Sequence, residues 1–288
     1  MGFMQDLAAA AAGAIPAFFV PPIVMLPYIL AEQLRPARER PQWRDYAFNI
    51  VLSAFAIYLT LPAGILAGMA SEAVRSLLPW HPIAIPFDAM ATAGLPGMVA
   101  RVAALTFLPL LVHELWFYWS HRLEHRIGVL WEFHKLHHSD TRMNCSTFAR
   151  DHFLQNAWRA FFSVFTVGLV FDLSAIEAGQ AAIFSGLFLM FLSLFYHSAI
   201  RVEVPWLDRI VMTPQLHRIH HSVDPQDFDH NFADVFPFMD MLFGTYRKPQ
   251  PGQFAATGLP DGELAGRSLW QALVQPIAGA FRRLRGAR

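Results

Sequence analysis

The sequence predicts an all-α protein: an integral membrane bundle of four to five transmembrane or re-entrant helices, with a histidine-rich helical cap on its cytosolic side. Three observations predict it. Of the 288 residues, 55% are hydrophobic and 15% are charged, whereas ordinary soluble domains carry about 25% charged residues; the mean hydropathy is +0.33. The apolar residues fall into runs long enough to span a bilayer. The histidines, 13 in all, cluster beyond the ends of those runs.

A spanning helix needs about 20 apolar residues, within a range of roughly 17–25. In chain order the candidates are Ala14–Ala31, Ala47–Ala70, Val99–Trp119, Ala157–Phe171 and Ala178–Tyr196. Pro21, Pro22 and Pro27 in the first predict a kink, which membrane helices tolerate when neighbours cover the freed carbonyls. The fourth is short and stops at Asp172, so the fourth and fifth are expected to form a tilted or re-entrant hairpin. Ser71–Gly97, with Trp80 and Pro79, Pro82, Pro86 and Pro96, is expected as an interfacial loop with room for a short amphipathic helix. Asp6 and the missing basic n-region argue against a cleaved signal. There is no repeat of 20–50 residues. Residues 1–260 read as one membrane domain, and 261–288 as a basic tail, solvated or touching headgroups, that contains Arg282-Arg283-Leu284-Arg285.

Orientation follows from counting Lys and Arg. Four fall in Glu32–Tyr46, six in Ser120–Arg159 and ten from Arg201 onward, leaving Arg75 and Arg101 for the opposite face. That 20-to-2 split obeys the positive-inside rule and puts every histidine cluster on the cytoplasmic side. A bacterial inner membrane is the expected location.

Other classes are excluded by composition. A net charge of zero, with no basic stripe interleaved with aromatics, gives no footprint for nucleic acid. The single cysteine, Cys145, rules out an internal disulfide, a cysteine-ligated iron–sulfur cluster and a four-cysteine zinc site. It is expected as a small buried hydrophobe.

The chemistry lies in three boxes: His121-Arg-Leu-Glu-His125, His134-Lys-Leu-His137-His138 and His217-Arg-Ile-His220-His221. On a helix, positions i, i+3 and i+4 share a face. His121 therefore pairs with His125, His134 with His138 and His217 with His221, and His137 and His220 are expected to join the same cluster as their i and i+4 neighbours. A lone histidine on an apolar helix is usually a satisfied core residue. Three boxes, two repeating one spacing, have no such bland account. Imidazole suits zinc, copper, iron and nickel alike; eight rings exceed the three or four typical of one zinc and favour a pair of ions.

The stretches Glu114-Leu-Trp-Phe-Tyr-Trp-Ser-His121-Arg-Leu-Glu-His125, Leu130-Trp-Glu-Phe-His134-Lys-Leu-His137-His138-Ser139, Thr213-Pro-Gln-Leu-His217-Arg-Ile-His220-His221-Ser222 and Asp240-Met-Leu-Phe-Gly-Thr-Tyr246 resemble the fatty acid hydroxylase/sterol desaturase superfamily. The resemblance covers roughly Leu110 to Pro260. It implies a histidine-ligated di-iron centre at the cytosolic face of a helical membrane bundle, oxidising lipid or sterol C–H bonds with O2. The eight box histidines are its implied ligands. His197, where the family has His-Ser-Asn and this chain has Ala199 for the Asn, is expected as a ninth. His152 lies where the family often has Arg-x-His-Pro; with Phe153 for the proline and Gln155 where Glu is common, it is expected as a further ligand or as a partner of one. Asn231-Phe-Ala replaces the usual Asn-Tyr-Gly, and Met239 stands where a Trp often precedes the Asp. His81 and His113 match no box and are read as structural. A zinc-protease His-Glu-x-x-His motif at His113-Glu114 fails, because Phe117 occupies the second ligand position.

Ligating imidazoles normally donate their outer N–H to a carboxylate or carbonyl. Glu114, Asp240 and Asn231 are expected near the ligands in this way; Glu124, Glu132 and Asp229 are further candidates, and His230 could line the pocket. The implied cofactors are two iron ions, replaceable by zinc, with O2 as co-substrate. The expected reaction is hydroxylation of a fatty acyl, sterol, carotenoid or related lipid, and no acid or base beyond the metal ligands is named. The alternatives are a desaturase with the same centre and a zinc-dependent membrane hydrolase. A metal transporter or sensor is disfavoured, since transporters hold ions at the bilayer midplane and these boxes lie beyond the apolar runs. The chain carries no Gly-x-Gly-x-x-Gly loop, second cysteine or haem-binding domain, so electrons are expected from a separate ferredoxin or cytochrome-type donor with its reductase. Arg122, Arg126, Lys135 and Arg218 either dock that donor or only express the positive-inside bias. Phe184–Phe195 either lines an entry tunnel or packs as core or lipid-facing surface.

Overall fold

The computed structural model describes residues 20–78, 94–170, 176–264 and 268–286. Among them are nine α-helices: α1 (Val20–Leu34), α2 (Trp43–Arg75), α3 (Gly94–Arg126), α4 (Gly128–His138), α5 (Phe153–Val170), α6 (Ile176–His197), α7 (Pro214–His220), α8 (Phe238–Phe243) and α9 (Leu269–Leu284). The described residues contain no β-strand beyond an isolated bridge between Ser222 and Thr257. The fold is all-helical, as the apolar runs predict.

Among the described residues, two helices are long and apolar enough to cross a membrane, α2 and α3, each of 33 residues. At about 1.5 Å per residue each reaches about 50 Å, well past a hydrocarbon core of about 30 Å. A soluble core helix of this composition would be buried, but only 17% and 22% of their most apolar windows are. Val51, Phe55, Leu59 and Leu66 on α2 and Val102, Phe107, Leu111 and Leu115 on α3 face outward. An apolar belt of this size is costly against water. Within α1 and α6, the stretches Ile23–Leu34 and Phe184–His197 are apolar as well. Phe184 and Phe191 are exposed, so that run presents an outer surface as well as packing on α3, where Phe188 meets Phe107 edge-on at 5.5 Å.

The expected boundaries shift at several points. Helix α3 does not stop at Trp119 but continues to Arg126, so the first box rides on the helix that carries the run. The expected interfacial loop is consumed at both ends, by α2 up to Arg75 and by α3 from Gly94. Its middle, with Trp80, His81, Pro79, Pro82 and Pro86, lies outside the described residues, as do Asp172 and the first six residues of the Ala14–Ala31 run. Pro21 and Pro22 stand in the first turn of α1 and only Pro27 is interior; a first turn tolerates proline because its N–H groups have no intrahelical partner.

The tail also departs from expectation. Residues 269–284 form α9, whose Ala272, Pro276, Gly279 and Ala280 are buried where it packs against α4. Arg283 donates to Glu132 on α4 at 3.1 Å, and Leu52, Leu136, Leu264 and Ala272 form a common core. Gly279 eases this approach, because a Cβ there would run into the Glu132 carboxylate. Gly279→Ala should displace a carboxylate that also pairs with Lys135, costing about 1–3 kcal/mol, measurable as a lower thermal midpoint. An unchanged midpoint would contradict the packing.

A second core of Met25, Tyr46, Cys145 and Leu194 joins α1, α2 and α6. The free, buried Cys145 has the apolar role expected of it. A third, Tyr118, Tyr196, Met212, Leu216, Phe232, Ala233 and Met239, closes the end where α3 and α6 finish. That end gathers the last turns of α3 and α6, the short α4 and α7, and the loop leading into α5, and with them the boxes.

Candidate metal centre

The third box is launched by local chemistry. Thr213 caps α7 by accepting from Leu216 N, and Pro214 takes the first helical position, where its missing N–H costs nothing. Both His-x-x-His-His boxes fall at the end of a short helix: His138 ends α4, and His221 follows His220 as the C-cap of α7. A helix C-terminus favours nearby positive charge.

Nine histidines converge in two groups. One holds His121, His125, His134, His138 and His220, the other His137, His197, His217 and His221, and within each group the ligand atoms lie within 4.8 Å of one another. In the first, His134 Nε2 lies 3.0 Å from His121 Nε2, 3.1 Å from His125 Nε2 and 3.0 Å from His138 Nε2. In the second, His217 Nε2 lies 3.0 Å from His197 Nε2 and 3.1 Å from His221 Nε2, and His197 is 3.3 Å from His137. The groups are adjacent, with the rings of His138 and His221 stacked at 4.3 Å.

The expectation that each box feeds one cluster is corrected here. Successive helical residues turn by about 100°, so i+4 overshoots i by about 40° while i+3 falls short by about 60°. His134 and His138 therefore stay together and His137 swings to the other group. In the third box His217 and His221 stay together and His220 crosses over. Each His-x-x-His-His box thus gives two rings to one group and one to the other.

The nitrogens fit metal ions better than a hydrogen-bonded chain. Each ring can donate through only one of its nitrogens when neutral, and at several rings that proton is engaged on the far side. His121 Nδ1 meets Phe232 O at 2.8 Å, His197 Nδ1 meets Ser193 O at 2.8 Å and His220 Nδ1 meets His230 O at 2.9 Å. Their Nε2 atoms are left as lone pairs aimed inward, and His220 Nε2 is buried with no hydrogen-bond partner. Two nitrogens about 2.1 Å from one ion are about 3.0 Å apart at a right angle and about 3.4 Å apart in a tetrahedron. The observed edges are mostly of the first kind. Burial, and next the neighbouring imidazoles, push His134, His138, His217 and His221 well below the ordinary histidine range; burial pushes His220 down to about 3. These rings are neutral, which is the ligating form.

The supporting groups differ from expectation. Glu114 touches no imidazole; it accepts backbone N–H groups from Asp234 (2.9 Å), Val235 (2.8 Å) and Phe236 (3.1 Å). Asp240 likewise accepts from Phe232 N at 2.7 Å and Ala233 N at 3.0 Å. Asn231, at φ 56°, bonds Leu216 O, Arg247 O and Arg247 N. All three shape the 231–236 loop, whose Phe232 carbonyl orients His121 and whose Phe232 ring packs on His121, His125 and His220 at 5.7, 5.1 and 5.6 Å. The carboxylates nearest the rings are Glu124, 3.3 Å from His134 Nδ1, and Asp151, 3.1 Å from His137 Nδ1. Arg159 lies between them. Sequence reasoning passed over Asp151 and counted Arg159 only as a cytosolic charge; an arginine early in an otherwise apolar helix was the available signal.

His152 stands outside both groups. Its Nε2 bonds Leu273 O at 3.0 Å and its Nδ1 accepts from Leu154 N at 3.2 Å, so it ties α9 to the loop before α5, and the ligand role expected for it is dropped. His113 pairs with Asp234 at 2.9 Å. Glu132 serves Lys135 and Arg283, and Asp229 pairs with Arg126 at 3.4 Å. Lys135 and Arg218 are 5% and 3% exposed, held by Glu263 and by the carbonyls of Ala255 and Met143; neither can dock a partner. A cavity of about 300 Å³ opens onto the five-histidine group, lined by His125, His138, His220, Trp131, Phe228 and Leu259 among others.

Comparison with known proteins agrees with the boxes. Residues 106–245 match the family model described as fatty acid hydroxylase. Alkylglycerol monooxygenase of Xenopus tropicalis is 28% identical over 152 residues, 49% of this chain and 30% of the relative. Ornithine lipid hydroxylase OlsE of Rhizobium tropici is 29% identical over 171 residues, 59% of this chain and 50% of the relative. A cholesterol 25-hydroxylase-like protein of Danio rerio is 31% identical over 169 residues, 58% of this chain and 62% of the relative. The chain thus spans between about a third and two thirds of these relatives' lengths. No solved structure matches it.

Proposed function

With residues 106–245 belonging to the fatty acid hydroxylase family, we propose that the chain is a membrane-embedded lipid monooxygenase that inserts one oxygen atom of O2 into a C–H bond at a two-iron centre. The observation that carries this reading is the pair of adjacent groups of five and four histidines. Nine nitrogens exceed what a single zinc takes, which counts against the hydrolase alternative. The three relatives are named for hydroxylation or monooxygenation, which favours an alcohol over an alkene. Their names span an ether lipid, an amino-acid lipid and a sterol, so the shared substrate class is a lipid with a long apolar body.

Balanced, the reaction takes R–H, O2, two electrons and two protons to R–OH and water. When bound, the two irons supply the redox chemistry that activates O2. His121, His125, His134, His138 and His220 would hold one ion, and His137, His197, His217 and His221 the other. The carbonyls of Phe232, Ser193 and His230 orient His121, His197 and His220, and Glu124 and Asp151 lie beside the outer nitrogens of His134 and His137. The cavity beside His125, His138 and His220 would receive the reacting methylene, with Trp131, Phe228 and Leu259 excluding bulk water; such exclusion strengthens the electrostatics of the site. Electrons come from a separate donor. The 20-to-2 charge split supports a cytoplasmic histidine end, in a bacterial cell at the inner membrane.

The test is isotopic. Iron-loaded protein in lipid nanodiscs, given a lipid extract, a reducing system and ¹⁸O2, should yield a product heavier by one labelled oxygen. Loss of two hydrogens without label would make it a desaturase. Label drawn from H2¹⁸O without O2 uptake, in protein holding one zinc, would make it a hydrolase.

A further inference from the structure

Behind the two histidine groups runs a buried chain of charge. Glu124 on α3 is 1% exposed and takes a two-pronged bond from Arg159, Nε to Oε1 at 2.9 Å and Nη2 to Oε2 at 2.6 Å. The same Oε2 lies 3.3 Å from His134 Nδ1, on the five-histidine group. Arg159 Nη1 lies 3.8 Å from Asp151 Oδ2, and Asp151 Oδ1 lies 3.1 Å from His137 Nδ1, on the four-histidine group. Phe117 closes one face of the guanidinium, 4.7 Å from its ring centre, and Gln155 donates to Asp151 at 3.1 Å.

We propose that Glu124, Arg159 and Asp151 form one bridge that sets the affinity of both ions together, with Arg159 as its positioning residue. The proposal rests on the two-ion reading. His134 and His137 are neighbours on α4, yet they face different groups, and their outer nitrogens meet opposite ends of the bridge. Each carboxylate lies against one outer nitrogen, Glu124 by His134 and Asp151 by His137, and Arg159 Nη2 itself reaches His134 Nδ1 at 3.5 Å; groups placed there set how a ligating ring is turned. Two buried carboxylates this close repel, in surroundings that screen charge poorly. The guanidinium offsets that repulsion, and its rigid fork matches the Glu124 carboxylate. Without it, at least one carboxylate moves away and its histidine loses its orientation. A residue that merely joined α5 to α3 would affect folding but not the two ions in parallel.

The test uses the full chain in nanodiscs, stripped by chelator and titrated anaerobically with Co²⁺ as a coloured probe. Wild type should take up two ions. Glu124→Gln should weaken one by about 10–100-fold and leave the other within about threefold. Asp151→Asn should do the reverse, and Arg159→Gln should weaken both by about 10–100-fold. If Arg159→Gln does not fold, Arg159→Lys, which keeps the charge without the fork, is judged by the same criterion. A folded Arg159 variant that weakens one ion or neither overturns the bridge alone. A wild type that takes up fewer than two ions overturns the two-ion reading and the bridge with it.

Discussion

Replacing His134 with Ala is expected to lower product formation by at least about 10³-fold, a barrier increase of about 4 kcal/mol, and to reduce bound metal from two ions to one. In the five-histidine group, His134 Nε2 lies about 3 Å from three neighbours, those of His121, His125 and His138. Removing it deletes the hub as well as the contact with Glu124. The matched control is His152→Ala, which should keep both ions and product formation within about threefold, since that ring is engaged by Leu273 and Leu154. Metal content by mass spectrometry, read beside product yield, checks both. Two ions retained in His134→Ala would refute the grouping.

The second large effect is on stability. Glu114→Ala should remove the acceptor for three backbone N–H groups, those of Asp234, Val235 and Phe236. Each buried donor left unpaired costs about 1–3 kcal/mol, so the sum for three, about 3–9 kcal/mol, is a large fraction of the roughly 5–15 kcal/mol that holds a domain together. A fall of about 10 °C or more in the melting midpoint is expected. Glu114→Gln keeps one acceptor oxygen and should fall less. The damage should reach the metal centre, because the loosened loop carries the Phe232 carbonyl that orients His121. A midpoint within about 2 °C of wild type would refute this account.

Why Glu114 was legible as special but not in its role is a matter of helical distance. It precedes His121 by seven residues on α3, about 10 Å along the axis, which is the same face but out of reach. Glu124 precedes His125 by one residue and turns toward α5 instead. Asp151 and Arg159 meet Glu124 and the α4 rings only once α5 folds back; the Arg159–Glu124 contact spans 35 residues of sequence, and no local spacing encodes it. The boxes were legible as candidate metal ligands because two His-x-x-His-His repeats have no other economical use. Their division into five and four was legible too, had the i+3 ring been followed through its 100° offset. Helices α2 and α3 were plain from their apolar runs. Helix α9 was not, because its buried face is made of Ala272, Pro276, Gly279 and Ala280, small residues that a hydropathy average passes over. Its signal was amphipathic spacing rather than mean apolarity.

The unbroken run of α3 from its outward-facing apolar stretch through the first box makes the helix a ruler. Every residue between Leu115 and His121 adds about 1.5 Å of height and about 100° of rotation. The height of the histidine groups above that apolar belt is therefore fixed by a count, in units finer than the spacing between alternate carbons of a hydrocarbon tail. A lipid anchored by its headgroup at the interface would then offer the site one stretch of its chain and no other, so regioselectivity would be written into the length of a helix rather than into the shape of a pocket.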